Sequence, residues 1–294
     1  MSTYTTYNQV GKAESVSDIL SNISPFATPT QAMIKDEKVS ARTFSFLEIS
    51  LADSQDNFAV EGADASMLTL TDAVERTNNT QILQKAFQIS ATADAIKTHG
   101  RAKETALQLS LKLKEIKKDY ERAMVGVTQA AVTGTSSQPR KMMSLLNQIS
   151  TNVDAGANAA DALTEGKLLE AGQTAYDNGS DVDTFMIKPA DAQIVAGFSA
   201  SAGRNREISQ GKTLVNAIDL YVSPYGSYRV VLNRELKTDH ALLIDPTMFK
   251  TCTLRPFTRT LLSKTGDSDK HLVVGEVSCK HVNFGDSVKI TGLS

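Results

Sequence analysis

Between Thr98 and Val127 apolar residues return every three or four positions: Ala102, Ala106, Leu109, Leu113, Ile116, Tyr120, Ala123 and Val127. This spacing follows the 3.6-residue period and predicts one helix with a single apolar stripe. At about 1.5 Å per residue the rod is roughly 45 Å long, whereas globular helices average about three or four turns. Its opposite face carries Lys103, Lys114, Lys118 and Arg122, with Leu107 and Leu111 among them. Two leucines on a cationic face admit two readings. Single apolar residues on a surface are ordinary; alternatively, a second chain crosses the outer side of the rod.

Strand patterns flank the rod in sequence. Thr43-Phe44-Ser45-Phe46 and Ile49-Ser50-Leu51 read as strand, Asp53 to Asn57 as a turn, and Met67-Leu68-Thr69-Leu70 as a return strand. Residues 39–79 therefore predict an extended hairpin. Residues 80–96 read as strand, with Leu83, Phe87 and Ile89 alternating. After a breaker at Gly134 to Pro139, a mixed middle follows. It holds a helix stopped at Asn178-Gly179, a short strand at Phe185-Met186-Ile187, a helix opened by Pro189, and a hairpin turning at Ser223-Pro224-Tyr225-Gly226. Residues 240–294 are nearly all strand, with a turn at Thr265-Gly266-Asp267. A sheet laid along the apolar stripe of the rod gives an α+β layering.

Residues 1–38 read as an arm. Val16, Ile19, Leu20 and Ile23 offer a turn or two of amphipathic helix before Pro25 and Pro29 force extended chain. Such a segment cannot offset its own ordering entropy. It is expected to dock on a larger body, a neighbouring copy in the first place. The boundaries that follow are 1–38 for the arm, 39–79 for the hairpin, 80–139 for the sheet with the rod, 140–239 for the middle domain and 240–294 for the terminal strands.

Charge sharpens the contrast between hairpin and rod. Glu48, Asp53, Asp56, Glu61, Asp64, Asp72 and Glu75 face only Arg42 and Arg76 in residues 39–79, a net of −5. The rod carries seven Lys or Arg against four acids, a net of +3. These are either two solvated faces of opposite sign, or the hairpin of one copy lies across the rod of the next. In the second case Glu48, Asp53, Asp56, Glu61 and Asp64 meet Lys103, Leu107, Leu111, Lys114, Lys118 and Arg122. Complementary charge sets register and partner choice, while isolated exposed pairs add only about 0–1 kcal/mol each.

The composition narrows the function classes. A formal net charge of −2 over 294 residues argues against a nucleic-acid binder that works by bulk charge. The two cysteines, Cys252 and Cys279, sit in strand-like alternation and read as reduced packing residues. No apolar run approaches eighteen residues, so no membrane span is expected, and the polar start lacks the features of a signal peptide. Catalytic motifs fail on inspection. Gly211-Lys212-Thr213 ends like a phosphate loop, but the position of the first glycine is Arg206. Ser209-Gln210-Gly211-Lys212 and Lys264-Thr265-Gly266 match two β-lactamase elements without the third. Asp267 and Asp269 read as a solvated turn before they read as a cation site. His99, His240, His271 and His281 have no metal spacing. No catalytic residue, cofactor or metal is expected.

The order of arm, hairpin, strand, rod, mixed middle and terminal sheet resembles the major capsid proteins of tailed bacteriophages with the Hong Kong 97-type (HK97-type) fold, in the podovirus-type subgroup without a fused scaffold. The phrases that carry it run along nearly the whole chain. They are Tyr7-Asn8-Gln9-Val10-Gly11, Asn22-Ile23-Ser24-Pro25, Val60-Glu61-Gly62-Ala63-Asp64, Gly100-Arg101-Ala102-Lys103-Glu104, Phe185-Met186-Ile187-Lys188-Pro189-Ala190-Asp191, and Leu254-Arg255-Pro256-Phe257-Thr258-Arg259-Thr260 with Lys264-Thr265-Gly266-Asp267. The resemblance implies an E-loop in the hairpin, a spine helix in the rod, a peripheral domain around it and an axial domain in the middle. It implies a structural homo-oligomer whose pentamers and hexamers form an icosahedral or elongated virion shell around double-stranded DNA. Scaffolding, portal and decoration proteins would be separate chains, and assembly would take place in the host cytoplasm. Some members lock the shell through a lysine on this loop; here no lysine lies between Lys38 and Lys85, so that cross-link is not expected. An encapsulin-like cargo compartment shares the implied fold and is the first alternative. A soluble enzyme is the second.

Overall fold

The computed structural model describes residues 26–96 apart from 50, 52, 53, 55, 63, 65, 66, 68 and 69, together with residues 103–155, 162–201, 220–264 and 266–293. The chain opens with a short helix α1 (Pro29–Met33) and strand β1 (Lys35–Lys38), then the ribbon strands β2 (Thr43–Glu48) and β3 (Val74–Asn79). Strand β4 (Gln81–Ser90) and helix α2 (Ala91–Ala95) lead to the long helix α3 (Glu104–Glu121). The middle holds α4 (Leu145–Gln148), β5 (Val153–Ala155), α5 (Glu165–Asp177), β6 (Thr184–Ile187), α6 (Ala192–Ser201), β7 (Leu220–Ser223) and β8 (Gly226–Leu232). The end is β9 (His240–Ile244), β10 (Phe249–Leu262), β11 (Ser268–His281) and β12 (Val288–Thr291).

Among the described residues the strands form three sheets. One has the order β1-β10-β11-β4, antiparallel except where β1 joins β10. A second has the order β5-β12-β9-β6-β8-β7, and the ribbon β2-β3 stands by itself. The terminal strands therefore divide between bodies. β10 and β11 belong to the sheet beside α3, whereas β9 and β12 belong to the six-stranded sheet. The six-stranded sheet lies between two apolar cores. Met186, Leu242 and Ile244 pack into one, with Met124, Leu146 and Phe249. Phe185, Ile187, Ala241 and Leu243 pack into the other, with Leu168, Val195 and Tyr228. Successive side chains of a strand point to opposite faces. A continuous apolar run such as His240-Ala241-Leu242-Leu243-Ile244 is what a strand covered on both faces requires.

The rod is shorter and less completely covered than its periodicity predicts. Ile116, Tyr120 and Ala123 are buried, but Ala106 and Leu113 are exposed. The first half of α3 sits over the far ends of β4 and β11 and leans on α2, where Thr105 donates from N and Oγ1 to Asp94 (3.2 and 3.0 Å). Part of the layer between helix and sheet is ionic: Lys85 of β4 reaches Asp119 at 2.8 Å and Glu115 at 3.8 Å. Asp119 first, and Glu115 after it, hold the Lys85 ammonium above its ordinary range. The helix then passes into a π-helical turn, Arg122–Gly126. A side chain at Gly126 would meet the Glu235 carbonyl at 2.5 Å, so this exit is open to glycine.

The expectation that the arm rests on a neighbour is corrected for residues 26–38, which dock on their own chain. Glu121, with no exposed surface, accepts from Thr30 N (2.8 Å), Gln31 N (3.2 Å), Gln31 Nε2 (3.1 Å) and Asn233 Nδ2 (2.8 Å). One carboxylate thus ties α1, the end of α3 and the segment after β8 together. β1 adds four backbone pairings to β10. Its Glu37 bonds to Lys280 (2.9 Å) and Lys250 (3.1 Å), and the Lys280 hydrogen bond is the main cause that holds its carboxyl below the ordinary value.

Removing this carboxylate leaves buried donors without an acceptor. Glu121→Ala is expected to lower the unfolding free energy by about 2–4 kcal/mol. Denaturant unfolding of the dispersed subunit measures it, and a midpoint equal to that of the wild type would remove Glu121 from this role.

Candidate assembly surfaces

The ribbon is fixed firmly at its root. Phe46, Glu48, Arg76 and Asn78 share the face turned to the body, as the alternation of β2 and β3 dictates. Asn78 Nδ2 donates to the Cys279 carbonyl (2.7 Å), and Asn78 Oδ1 accepts from Met143 N (2.7 Å). Thr80 Oγ1 donates to Glu276 (2.7 Å), a buried carboxylate that also takes Arg140 and the Nε of Arg255 (3.1 Å). Further out, Glu48 accepts from Arg76 Nε (2.8 Å) and from the Phe284 backbone N (3.0 Å). The Phe284 ring lies 6.1 Å from Phe46 and 5.8 Å from His281, which stacks on Phe249 at 4.2 Å. Burial alone pushes the His281 imidazole down to about 3.

Among the described residues nothing covers the ribbon beyond its root. Leu51 is 97% exposed, Phe58 93%, Met67 93% and Leu70 90%, with Leu47, Ile49 and Val60 exposed as well. The predicted return strand at 67–70 is corrected. Met67 and Leu70 are irregular, Leu68 and Thr69 lie outside the described residues, and the return strand is Val74–Asn79. The acidic candidates divide. Glu48 is spent on Arg76 and Phe284, so it is a root residue and not a free contact. Asp56, Glu61 and Asp64 are exposed beside the Gly62 turn (φ 80°), and Asp53 lies outside the described residues.

On the rod the six candidates do share one side, but not one environment. Lys103, Lys114 and Arg122 are exposed, and Leu107 and Leu111 are half-buried. Lys118 lies 3.7 Å from Glu235 of its own chain. Gln31 Nε2 reaches the Lys117 carbonyl (2.7 Å), so α1 occupies part of the outer side near the C-terminal end. Beside it, α1, β1, α3 and β10 enclose a groove of about 820 Å³ with Tyr120, Leu254, Pro256 and Phe257 in its wall.

The positions weighed for chemistry have structural surroundings. Gly211-Lys212-Thr213, Ser209 and His99 lie outside the described residues. Lys264 pairs with Asp269 (2.9 Å). The His271 ring lies tilted against Phe87 (centroids 4.9 Å, 42° between planes) and takes the Nε of Arg259 at 3.3 Å. His240 lies 3.0 Å from Asp239. Among the described residues no group of three or more His, Cys, Asp or Glu could hold a metal, and no helix is long and apolar enough to cross a membrane. The Phe46-Phe284-His281-Phe249 file and the Glu276 cluster leave no signal in the sequence, because Phe46 and Phe249, and Thr80, Arg140 and Arg255, lie far from the residues they join and share no spacing with them.

A family model described as SU10 major capsid protein matches residues 1–294. The chain is 28% identical over 330 residues to the major capsid protein of Escherichia phage Phieco32, a match covering 95% of this chain and 94% of that protein. Its fold is shared with the capsid of cyanophage A-1(L), at a TM-score of 0.71, 11% identity and 99% of each chain. It is shared with the capsid of a native GTA particle, at 0.68, 10% identity and 98% of each chain. The SrpI encapsulin of Synechococcus elongatus PCC 7942 matches at 0.64 and 10% identity, over 100% of this chain and 97% of that one. These structural likenesses concern the fold alone, which is the Hong Kong 97-type α+β fold.

The buried His281 makes acid stability testable. The unfolded chain protonates it near pH 6.5, the folded chain only near 3. Between these values the unfolded state binds more protons, so stability falls with pH. Asp286, raised to about 6 mainly by burial, acts in the opposite sense and cancels in a comparison of variants. His281→Phe is expected to remove about 3 kcal/mol of the loss between pH 6.5 and pH 4. Denaturation at the two pH values checks it; an unchanged loss contradicts it.

Proposed function

This chain belongs to the SU10 major capsid protein family, and from that premise we propose how its copies build a shell. The protein is a phage major capsid protein, a structural component of the virion. The proposed assembly has pentamers and hexamers closing around double-stranded DNA, without sequence-specific grip and without a catalytic role for the chain. Residues 39–79 serve as the E-loop, α3 as the spine helix, β4, β10 and β11 as the peripheral domain, and the six-stranded sheet with α5 and α6 as the axial domain. Residues before the E-loop form the arm, of which 26–38 rest on the parent body. Scaffolding, portal and decoration proteins are separate partners, and assembly precedes release from the host cytoplasm.

One observation carries the contact between copies. The ribbon beyond its root exposes Leu51, Phe58, Met67 and Leu70 almost completely, and burying a side chain of this size contributes about 1.5–3 kcal/mol. Two strands cannot bury their own apolar face. The receiving surface is the outer side of α3 on a neighbour, at Lys103, Leu107, Leu111, Lys114, Lys118 and Arg122. Asp53, Asp56, Glu61 and Asp64 set the register against those cations. Without a lysine between Lys38 and Lys85, the joint is non-covalent at the ribbon tip.

Charge reversal at Lys114→Glu with Lys118→Glu is expected to abolish closed particles in negative-stain microscopy while the subunit stays folded. The Lys118–Glu235 pair it removes is only partly exposed, at a 3.7 Å separation, and contributes about 0–1 kcal/mol. Normal particles from this variant reject the helix side as the receiving surface. Phe58→Ser with Met67→Ser tests the ribbon side in the same way, and wild-type particle yield would reject it. Nucleic acid inside wild-type particles supports the virion shell, whereas a cargo enzyme in its place supports the encapsulin-like reading.

A further inference from the structure

The loop between β11 and β12 joins the two large sheets, and the ribbon root rests on it. Phe284 is buried in this loop. Its ring is enclosed by Phe46 of β2 at 6.1 Å, the Arg76 guanidinium of β3 at 4.6 Å, and His281 at 5.8 Å. Its backbone N donates to Glu48, which is held in turn by Arg76. The loop is braced from the six-stranded side as well. The Gly285 carbonyl accepts from Asn152 Nδ2 (2.6 Å) and Ser180 Oγ (3.4 Å). On the other side Lys280 stands 5.6 Å over the Phe46 ring and pairs with Glu37. Both ribbon strands and β11 therefore meet at the Phe284 ring, while the six-stranded side holds the next residue of the same loop and β1 is tied to Phe46 through Lys280.

We propose that Phe284 is a positioning residue for assembly: with Arg76 and Glu48 it clamps the ribbon at one angle to the body, so that the exposed tip is presented to the next copy already oriented. This rests on the reading of the ribbon as the contact between copies. The physical reason is entropic. A ribbon free to swing must give up that freedom when it docks, whereas a clamped one has lost it on folding. The clamp is suited to the task because it uses one ring and one ion pair on the ribbon's inward face, and leaves the outward apolar residues free for a partner.

The test is a distance measurement on the full-length chain before assembly. Spin labels at Glu61→Cys on the tip and Gln84→Cys on β4 report the ribbon angle. The native Cys252 and Cys279 do not compete, since both are buried, and burial pushes the Cys252 thiol up to about 12. Phe284→Ala is expected to widen the distance distribution roughly twofold and to cut particle yield roughly tenfold. Phe284→Tyr, which keeps the ring, should restore both. Arg76→Gln lies outside the core, keeps the measurement valid if Phe284→Ala fails to fold, and should widen the distribution in the same direction. Unchanged widths in Arg76→Gln and in a folded Phe284→Ala overturn the clamp, as does a Phe284→Tyr variant no better than alanine. Deletion of residues 51–70 separates the two ideas. If particles still form without the tip, the contact reading fails and the clamp is judged on the distance widths alone. If particles vanish while Phe284→Ala assembles normally, the contact stands and the clamp fails.

Discussion

Two paired strands have no interior. The ribbon β2-β3 extends from the body with large apolar side chains along its far part, and among the described residues nothing offers them a surface. In water such a ribbon is marginal by itself, and several large apolar side chains exposed on one element mark an interaction site. The rest of the molecule can be understood as the platform that holds this ribbon out. Its root is nailed down by Asn78, Thr80, Glu48 and Phe284, while its tip is left for another chain.

The platform is rigid for a reason that its sequence contains. The six-stranded sheet is covered on both faces, so its central strands are continuous apolar runs. The four-stranded sheet is joined to the same core through Phe249, Val277 and Cys279. The long helix meets that core only from Tyr120 onward; before Ile116, which is buried, it is half-exposed and partly ionic in its packing. Glu121 closes the arrangement where helix, arm and the segment after β8 converge. A buried carboxylate whose hydrogen bonds are satisfied at a three-way junction fixes the mutual placement of the three segments more specifically than apolar contact alone.

What could be read from sequence was whatever repeats with a period. The apolar steps at Ile116, Tyr120 and Ala123, the alternation of Leu83, Phe87 and Ile89, the cap at Asn178-Gly179 and the run in β9 are local signals, and each appears as the matching element. The opposite charges of ribbon and rod were legible too, because charge is a property of composition. Illegible were the features made by distant residues. Glu48 looks like one acid among seven until Arg76 and Phe284 arrive beside it. Apolar Met67 and Leu70 point to a return strand at 67–70, yet apolar residues that wait for another chain follow no intrachain pattern. Pairing falls instead on the polar stretch Val74-Glu75-Arg76-Thr77-Asn78-Asn79, whose register is set by contacts at the root. The low apolar content of the arm points to a neighbour as its support; three hydrogen bonds from Thr30 and Gln31 to the Glu121 carboxylate and a parallel strand pairing hold residues 26–38 to their own body instead.

The burial of the ribbon tip by another copy can be seen directly by hydroxyl-radical footprinting of the unassembled chain and of intact particles. Oxidation of Phe58 and Met67, and of Leu107 and Leu111 on the long helix, should fall about tenfold on assembly, while that of Tyr176 at the rim of the other body serves as the reference. Equal oxidation of Phe58 and Met67 in the two states would mean that the tip stays in water inside the finished shell, and the account of how these subunits hold together would be wrong.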